Sequence, residues 1–140
     1  MAMIVTTDII RQIFEKYRGD FEKNLAVPQF GIVHTYRYSG DFTCRKWKNG
    51  TVRNPRIRVT DYFDWDEDVL EIVVVHEMIH YYIARYKIKD NDEHGERFQA
   101  FCDMFNQRYG MVITSVLDCT GFRRRKGAPR LPWLFANLFG

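Results

Sequence analysis

The chain is poor in cysteine, and its three thiols, Cys44, Cys102 and Cys119, are odd in number, far apart and without a CxxC pair. Such spacing argues against both a disulfide framework and a zinc ribbon. Reduced thiols in a cytoplasmic protein are the simplest expectation. Long apolar runs are missing too. The most apolar stretch, residues 69–83, is interrupted by Glu71, His76, Glu77 and His80, so no membrane span is expected. The opening residues Met-Ala-Met-Ile-Val-Thr-Thr-Asp carry no basic n-region, and a secretory signal is not expected. Internal repeats and low-complexity linkers are also lacking, so 140 residues read as one domain with a sizeable core.

What the chain does have is unevenly placed charge. Residues 35–58 hold seven Lys/Arg (37, 45, 46, 48, 53, 56 and 58) against Asp41, a net of +6. Residues 61–103 hold twelve Asp/Glu against four Lys/Arg, a net of −8, and residues 121–140 carry +5 with no acid. Asymmetry of this kind suggests a polyanionic partner, although charged strands and tails are more often solvated faces.

A first helix is expected after Thr6 or Thr7, with Ile10, Ile13, Phe14, Tyr17 and Phe21 at i, i+3, i+4, i+7 spacing. Residues 32–38 read as a strand turned by Ser39-Gly40-Asp41 into a second strand, 42–47. Asn49-Gly50 signals a type I′ hairpin, and Ile57 and Val59 alternate with Arg56 and Arg58 after Pro55. The expectation is a small three-stranded antiparallel sheet. Asp64 and Glu67 resemble a capping box opening a buried helix that runs to about Tyr86. A further helix spans about Glu93 to Tyr109 with Gly110 as its stop, and residues 111–116 read as a short strand. The fold class is α+β, with a domain over 1–120 and a basic, then apolar, tail over 121–140.

The chemistry lies in His76-Glu77-Met78-Ile79-His80. Histidines at i and i+4 stand about 40° apart around a helix axis and ~6 Å along it, so both imidazoles can converge on one ion. Glu77 can reach water on that ion, whose pKa zinc lowers toward ~7. This is the HExxH pattern of zinc peptidases. By chance it would occur in about one chain in a few hundred of this length at average residue usage. Two histidines and a glutamate in a buried helix are also costly without partners. The metzincin extension would need glycine at position 83 and histidine at 86, where Ile83 and Tyr86 stand. The remaining histidines are His34, which reads as a half-exposed strand residue, and His94. A short loop, Lys87 to Asp92, would fold the next helix back and bring His94 to the metal. Glu93 and Glu96 compete as ligands, though acids in a first helical turn suit the helix dipole.

His76-Glu77-Met78-Ile79-His80 followed by Glu93-His94-Gly95-Glu96-Arg97-Phe98 resembles the SprT-like, Spartan-related metallopeptidase family, and the resemblance covers Thr6 to Gly110. It implies a minimal zincin-like fold. One zinc would be held by His76, His80 and His94, Glu77 would act as general base, and the substrate would be a protein or peptide. Tyr81, Tyr82 or a sheet residue is the expected oxyanion helper. Better-studied relatives cleave proteins crosslinked to DNA, and many carry a C-terminal zinc ribbon that this sequence replaces with Arg123-Arg124-Arg125-Lys126. Candidate nucleic-acid contacts are Arg45, Lys46, Trp47, Lys48, Arg123, Arg124, Arg125 and Lys126. The competing reading is a nucleic-acid-binding module retaining a structural zinc. A third is a zinc hydrolase acting on another amide.

Overall fold

The structure is a computed structural model and describes residues 2–115 and 124–125. Helix α1 spans Thr7–Tyr17, with Thr6 as N-cap accepting the Ile9 amide at 3.2 Å. Its buried face is Ile10, Ile13, Phe14 and Tyr17, and a short 3₁₀ turn, Arg18–Asp20, ends it. Before it lies β1, Ala2–Met3.

Three strands follow: β2 (Gln29–Val33), β3 (Gly40–Lys46) and β4 (Val52–Thr60), in the order β2-β4-β3. The sheet is mixed rather than antiparallel, because β2 runs parallel to β4 while β3 pairs with it antiparallel. The cause is the early end of β2 at Val33. Residues 34–39 then cross the end of β4 instead of extending the strand, and β4 inserts between its two predecessors. The crossover is tied down by the amides of Asp61 to Val33 O at 2.9 Å and Thr60 to Ser39 O at 3.0 Å. His34 sits in this crossover rather than in a strand, its side chain 76% exposed and 2.8 Å from Asp61.

The β3–β4 turn is not type I′. Gly50 has φ +85°, but Asn49 keeps a negative φ and bonds the Thr51 amide through its side chain at 3.0 Å. The Gly50 amide donates to Trp47 O at 2.9 Å, which centres the turn on Lys48-Asn49 with Gly50 as the left-handed residue after it.

Strand β5 (Trp65–Asp66) pairs with β1 and leads into α2, Glu67–Arg85. The N-cap is Asp66, which accepts the Asp68 amide at 3.1 Å; the expected Asp64–Glu67 box is displaced because Trp65 is drawn into β5 and buried, its indole N–H donating to Thr60 O. Leu70, Val73, Val74, Val75, Met78 and Ile79 are all fully buried. Each such side chain contributes about 1.5–3 kcal/mol through burial. The helix packs between the inner face of the sheet and helices α1 and α3.

Helix α3 spans Glu96–Tyr109 and starts three residues later than the spacing suggests. The loop before it holds the start: Asp90 accepts the Phe98 amide at 3.0 Å and Asn91 the Glu96 amide at 3.3 Å. Residues 111–115 form no strand. Asn106 anchors them instead, its side chain bonding both the amide and the carbonyl of Ile113 at 2.7 and 3.1 Å. Most of the expected tail, with the boundary at 120, lies outside the described residues. Among the described residues, no helix is long and apolar enough to cross a membrane.

Candidate metal centre

His76 and His80 project from adjacent turns of α2, and His94 comes from the loop just before α3. The Nε2 atoms of His76 and His94 each lie 3.2 Å from Nε2 of His80, and one nitrogen from each ring lies within 4.8 Å of the others. Phe98 packs against all three rings, with centroids 4.7–4.9 Å away, and fixes the pocket from the α3 side.

The nitrogens are arranged as ligands. His76 Nδ1 lies 3.1 Å from the Thr114 carbonyl, which can only accept, so Nδ1 carries the proton and Nε2 presents a lone pair. Burial, reinforced by the neighbouring imidazoles, pushes the His76 pKa down to about 2 and that of His80 to about 4. Both are therefore neutral at ordinary pH, the form that binds a metal. Lone pairs crowded this closely repel unless a cation lies among them, and three imidazoles at this spacing suit a divalent ion such as zinc. The residues fit the group.

Glu77 is fully buried, and neither carboxylate oxygen has a hydrogen-bond partner among the described residues. Burial is the main reason its pKa stands well above the usual range, with Asp41 and Glu93 adding to it. Gly40, at the start of β3, lies close to it. A Cβ there would lie 2.8 Å from Arg58 O, 3.0 Å from Val73 Cγ1 and 3.7 Å from Glu77 Oε2, so only glycine permits this approach of strand to helix.

A groove of about 790 Å³ opens beside His80. Along one wall runs β3, an edge strand, contributing Phe42, Thr43 and Cys44; Ile83 and Glu93 lie across from it.

The family model for the SprT-like family matches residues 10–117. The chain belongs to the SprT-like family. No curated protein and no solved structure matches it.

In this SprT-like chain the three predicted histidines are brought together, while Glu93 and Glu96 are not part of the cluster that could hold a metal. Tyr81 is a poor oxyanion helper, since its buried hydroxyl donates to Ala26 O at 2.7 Å. Tyr82 is packed among Phe21, Phe101 and Tyr86.

The candidate nucleic-acid residues fall in two places, and one of them, Lys46, lines the groove beside His80. Arg45 and Lys46 end β3, and Trp47 and Lys48 form the hairpin turn. Trp47 is 54% exposed, and the Arg53 guanidinium lies 4.1 Å from its ring centroid, covering one of the two faces a base would use. Arg124 forms a single bridge with Phe63, and Arg125 bonds Tyr62 O and Asp61 O, both at 2.7 Å. Arg125 is thus a docking residue for the chain's own loop. Arg123 and Lys126 lie outside the described residues.

Two features gave no readable signal in sequence. The Thr114 carbonyl that orients His76 is a backbone atom and could belong to any residue type. Gly40 reads as a turn glycine, whereas a Cβ there would collide with the Arg58 carbonyl and Val73 where β3 meets β4 and α2.

Proposed function

We propose that this SprT-like domain is a zinc metallopeptidase in which His76, His80 and His94 hold one zinc ion and Glu77 is the general base. The observation that carries this reading is the unpartnered, fully buried carboxylate of Glu77 next in sequence to a histidine of the cluster. A buried carboxylate without partners costs several kcal/mol, and a chemical role gives a reason to keep it. Zinc held at these imidazoles supplies Lewis acidity, lowering the pKa of water toward ~7, and a positive charge that favours the ionised form of Glu77. Glu77 takes the proton of the attacking water at its carboxylate and passes it to the leaving amine. The neutral imidazoles keep their lone pairs for the metal. The groove alongside β3 accepts the substrate as an extended peptide, with the free strand edge available to its backbone.

DNA-associated proteins are the substrates that the +6 charge of residues 35–58 favours, since a basic face draws in a polyanion. A binding module with a structural zinc is the weaker reading. Such sites are closed by four protein ligands, whereas three histidines form the cluster among the described residues.

The deciding experiment compares wild type with Glu77→Gln on an unfolded protein substrate, with zinc content measured in parallel. The expected outcome is full zinc and a fall in peptide hydrolysis of about 10²–10⁴-fold. Equal hydrolysis in the variant would remove Glu77 as base. DNA binding that weakens steeply with salt, with no proteolysis by wild type under any condition, would establish the binding-module reading instead.

A further inference from the structure

A second cleft, of about 530 Å³, lies at the opposite edge of the sheet from the groove, along β2. Its volume falls in the range of sites for compact organic ligands. On β4, Ile57 and Val59 are fully buried against α2, so the alternating Arg56 and Arg58 project from the outer face. The register places Gln29 beside Arg56 and Gly31 beside Arg58. Arg11 reaches the same cleft from α1, with its guanidinium 5.1 Å from the Phe30 ring centroid.

The three guanidiniums are unequally satisfied. Arg58 is paired with Asp41, donating through Nε at 2.8 Å and through a second nitrogen to the other oxygen. Among the described residues Arg56 donates only to the neutral amide oxygen of Gln29, at 3.2 Å, and Arg11 has no ion-pair or hydrogen-bond partner. The described residues thus place two positive charges at the cleft and no counter-charge for them, and Arg56 sits two residues along the same strand face from Arg58, about 7 Å away.

Gly31 lies between them. Its φ is not in the left-handed region, unlike those of Gly50 and Gly110, so its backbone does not demand glycine. What the absent side chain permits is the packing of the arginines: a Cβ would stand 3.2 Å from Arg58 Cγ and 3.6 Å from Arg56 Cδ, so the two stems lie across β2 at this point. Glycine within a strand weakens it and often marks a close approach.

We propose that this cleft binds a phosphoryl group, with Arg11 and Arg56 taking the oxyanion and Gly31 letting the stems of Arg56 and Arg58 lie across β2. A planar guanidinium fork matches phosphate oxygens pairwise, and a doubly charged anion matches the uncompensated charge. The site is independent of the zinc reading, because it uses none of the residues of the metal centre or groove. The phosphoryl group belongs either to a free phosphorylated small molecule or to the phosphodiester backbone of a nucleic acid.

The test uses the full zinc-loaded chain, titrated with pyrophosphate by calorimetry and with oligothymidine by fluorescence anisotropy. Arg56→Gln, Arg11→Gln, Gly31→Ala and the control Lys23→Gln, at an exposed lysine outside the cleft, are compared with wild type, each checked for an unchanged melting temperature. The expected result is saturable pyrophosphate binding that Arg56→Gln and Arg11→Gln each weaken about tenfold, the size of one lost charge-assisted contact. Gly31→Ala weakens it too while preserving every charge, because the added Cβ displaces the arginine stems, and Lys23→Gln leaves it intact. If oligothymidine also binds, is displaced by pyrophosphate and responds to the same variants, the source is a nucleic-acid backbone; if only pyrophosphate does, it is a free phosphorylated molecule. Absence of saturable binding to either probe would overturn the proposal. So would binding that Lys23→Gln weakens as much as Arg56→Gln, or that Gly31→Ala leaves unchanged.

Discussion

Helix α2 buries two glutamates six residues apart, and their surroundings differ in every respect that matters to a carboxylate. Glu71 is 7% exposed and receives the Tyr17 hydroxyl and, at 2.9 Å, the Lys16 ammonium. Burial, together with the contact with Glu71, raises the Tyr17 pKa to about 12, so the hydroxyl stays a donor. Glu77 is fully buried, with both oxygens unpartnered among the described residues. One helix thus carries a carboxylate whose neighbours satisfy it and another whose neighbours leave it exposed to chemistry. Buried polar groups are nearly always paired, so the exception is the informative residue.

The comparison predicts that the two ends of α2 respond to different injuries. The largest effect is expected from His94→Ala, which removes one of three ligands and should weaken zinc binding by more than about a hundredfold. The melting temperature of the metal-free protein should change little, because His94 comes from a loop. Full zinc occupancy in this variant, measured by metal analysis after exhaustive dialysis, would take His94 out of the site. Next is the fold itself. Glu71→Ala leaves the buried Tyr17 hydroxyl without its acceptor and should cost about 1–3 kcal/mol in urea unfolding, with turnover per folded molecule unchanged. Glu77→Gln, which removes a carboxylate that nothing satisfies, should hold or raise stability. If both variants lose stability equally, the contrast between the two glutamates fails.

How much of this was legible in the sequence follows from where the determining interactions lie. His76, Glu77 and His80 share one helix, so 3.6-residue periodicity alone brought their side chains to one region. His94 was reachable because few residues separate it from the end of α2, and a short connection leaves little freedom. The direction of β2 departs from the antiparallel expectation because β2 and β4 are separated in sequence by β3, and parallel pairing of that kind leaves no local turn signal. The N-cap moved from Asp64 to Asp66 for a similar reason: β5 pairs with a strand at the far end of the chain. The Tyr17–Glu71 contact, 54 residues apart, was equally invisible, so both glutamates read alike until the structure separated them.

The smallest expected effect is also the one that addresses Glu77 and the histidines together. In the metal-free protein His76 and His80 have folded pKa values of about 2 and about 4 against an ordinary value of 6.5. Below pH 6.5 the unfolded chain binds protons that the folded chain refuses, so stability falls as pH drops toward 4. Glu77 acts in the opposite sense, because its folded pKa lies above the ordinary 4.5. As pH rises past that value the unfolded chain releases a proton that the folded chain retains, and stability declines. The histidines thus supply an acid limb, in which stability falls as pH drops below 6.5, and the glutamate opposes it with a decline as pH rises above 4.5. Both are to be measured as urea midpoints of the metal-free protein from pH 5 to 8. In Glu77→Gln the decline on the alkaline side should flatten while the acid side remains. In Glu71→Ala both limbs should persist, displaced downward, since that variant leaves all three groups in place. An alkaline limb unchanged in Glu77→Gln would mean that another group sets it, and the pH dependence would no longer distinguish the two glutamates.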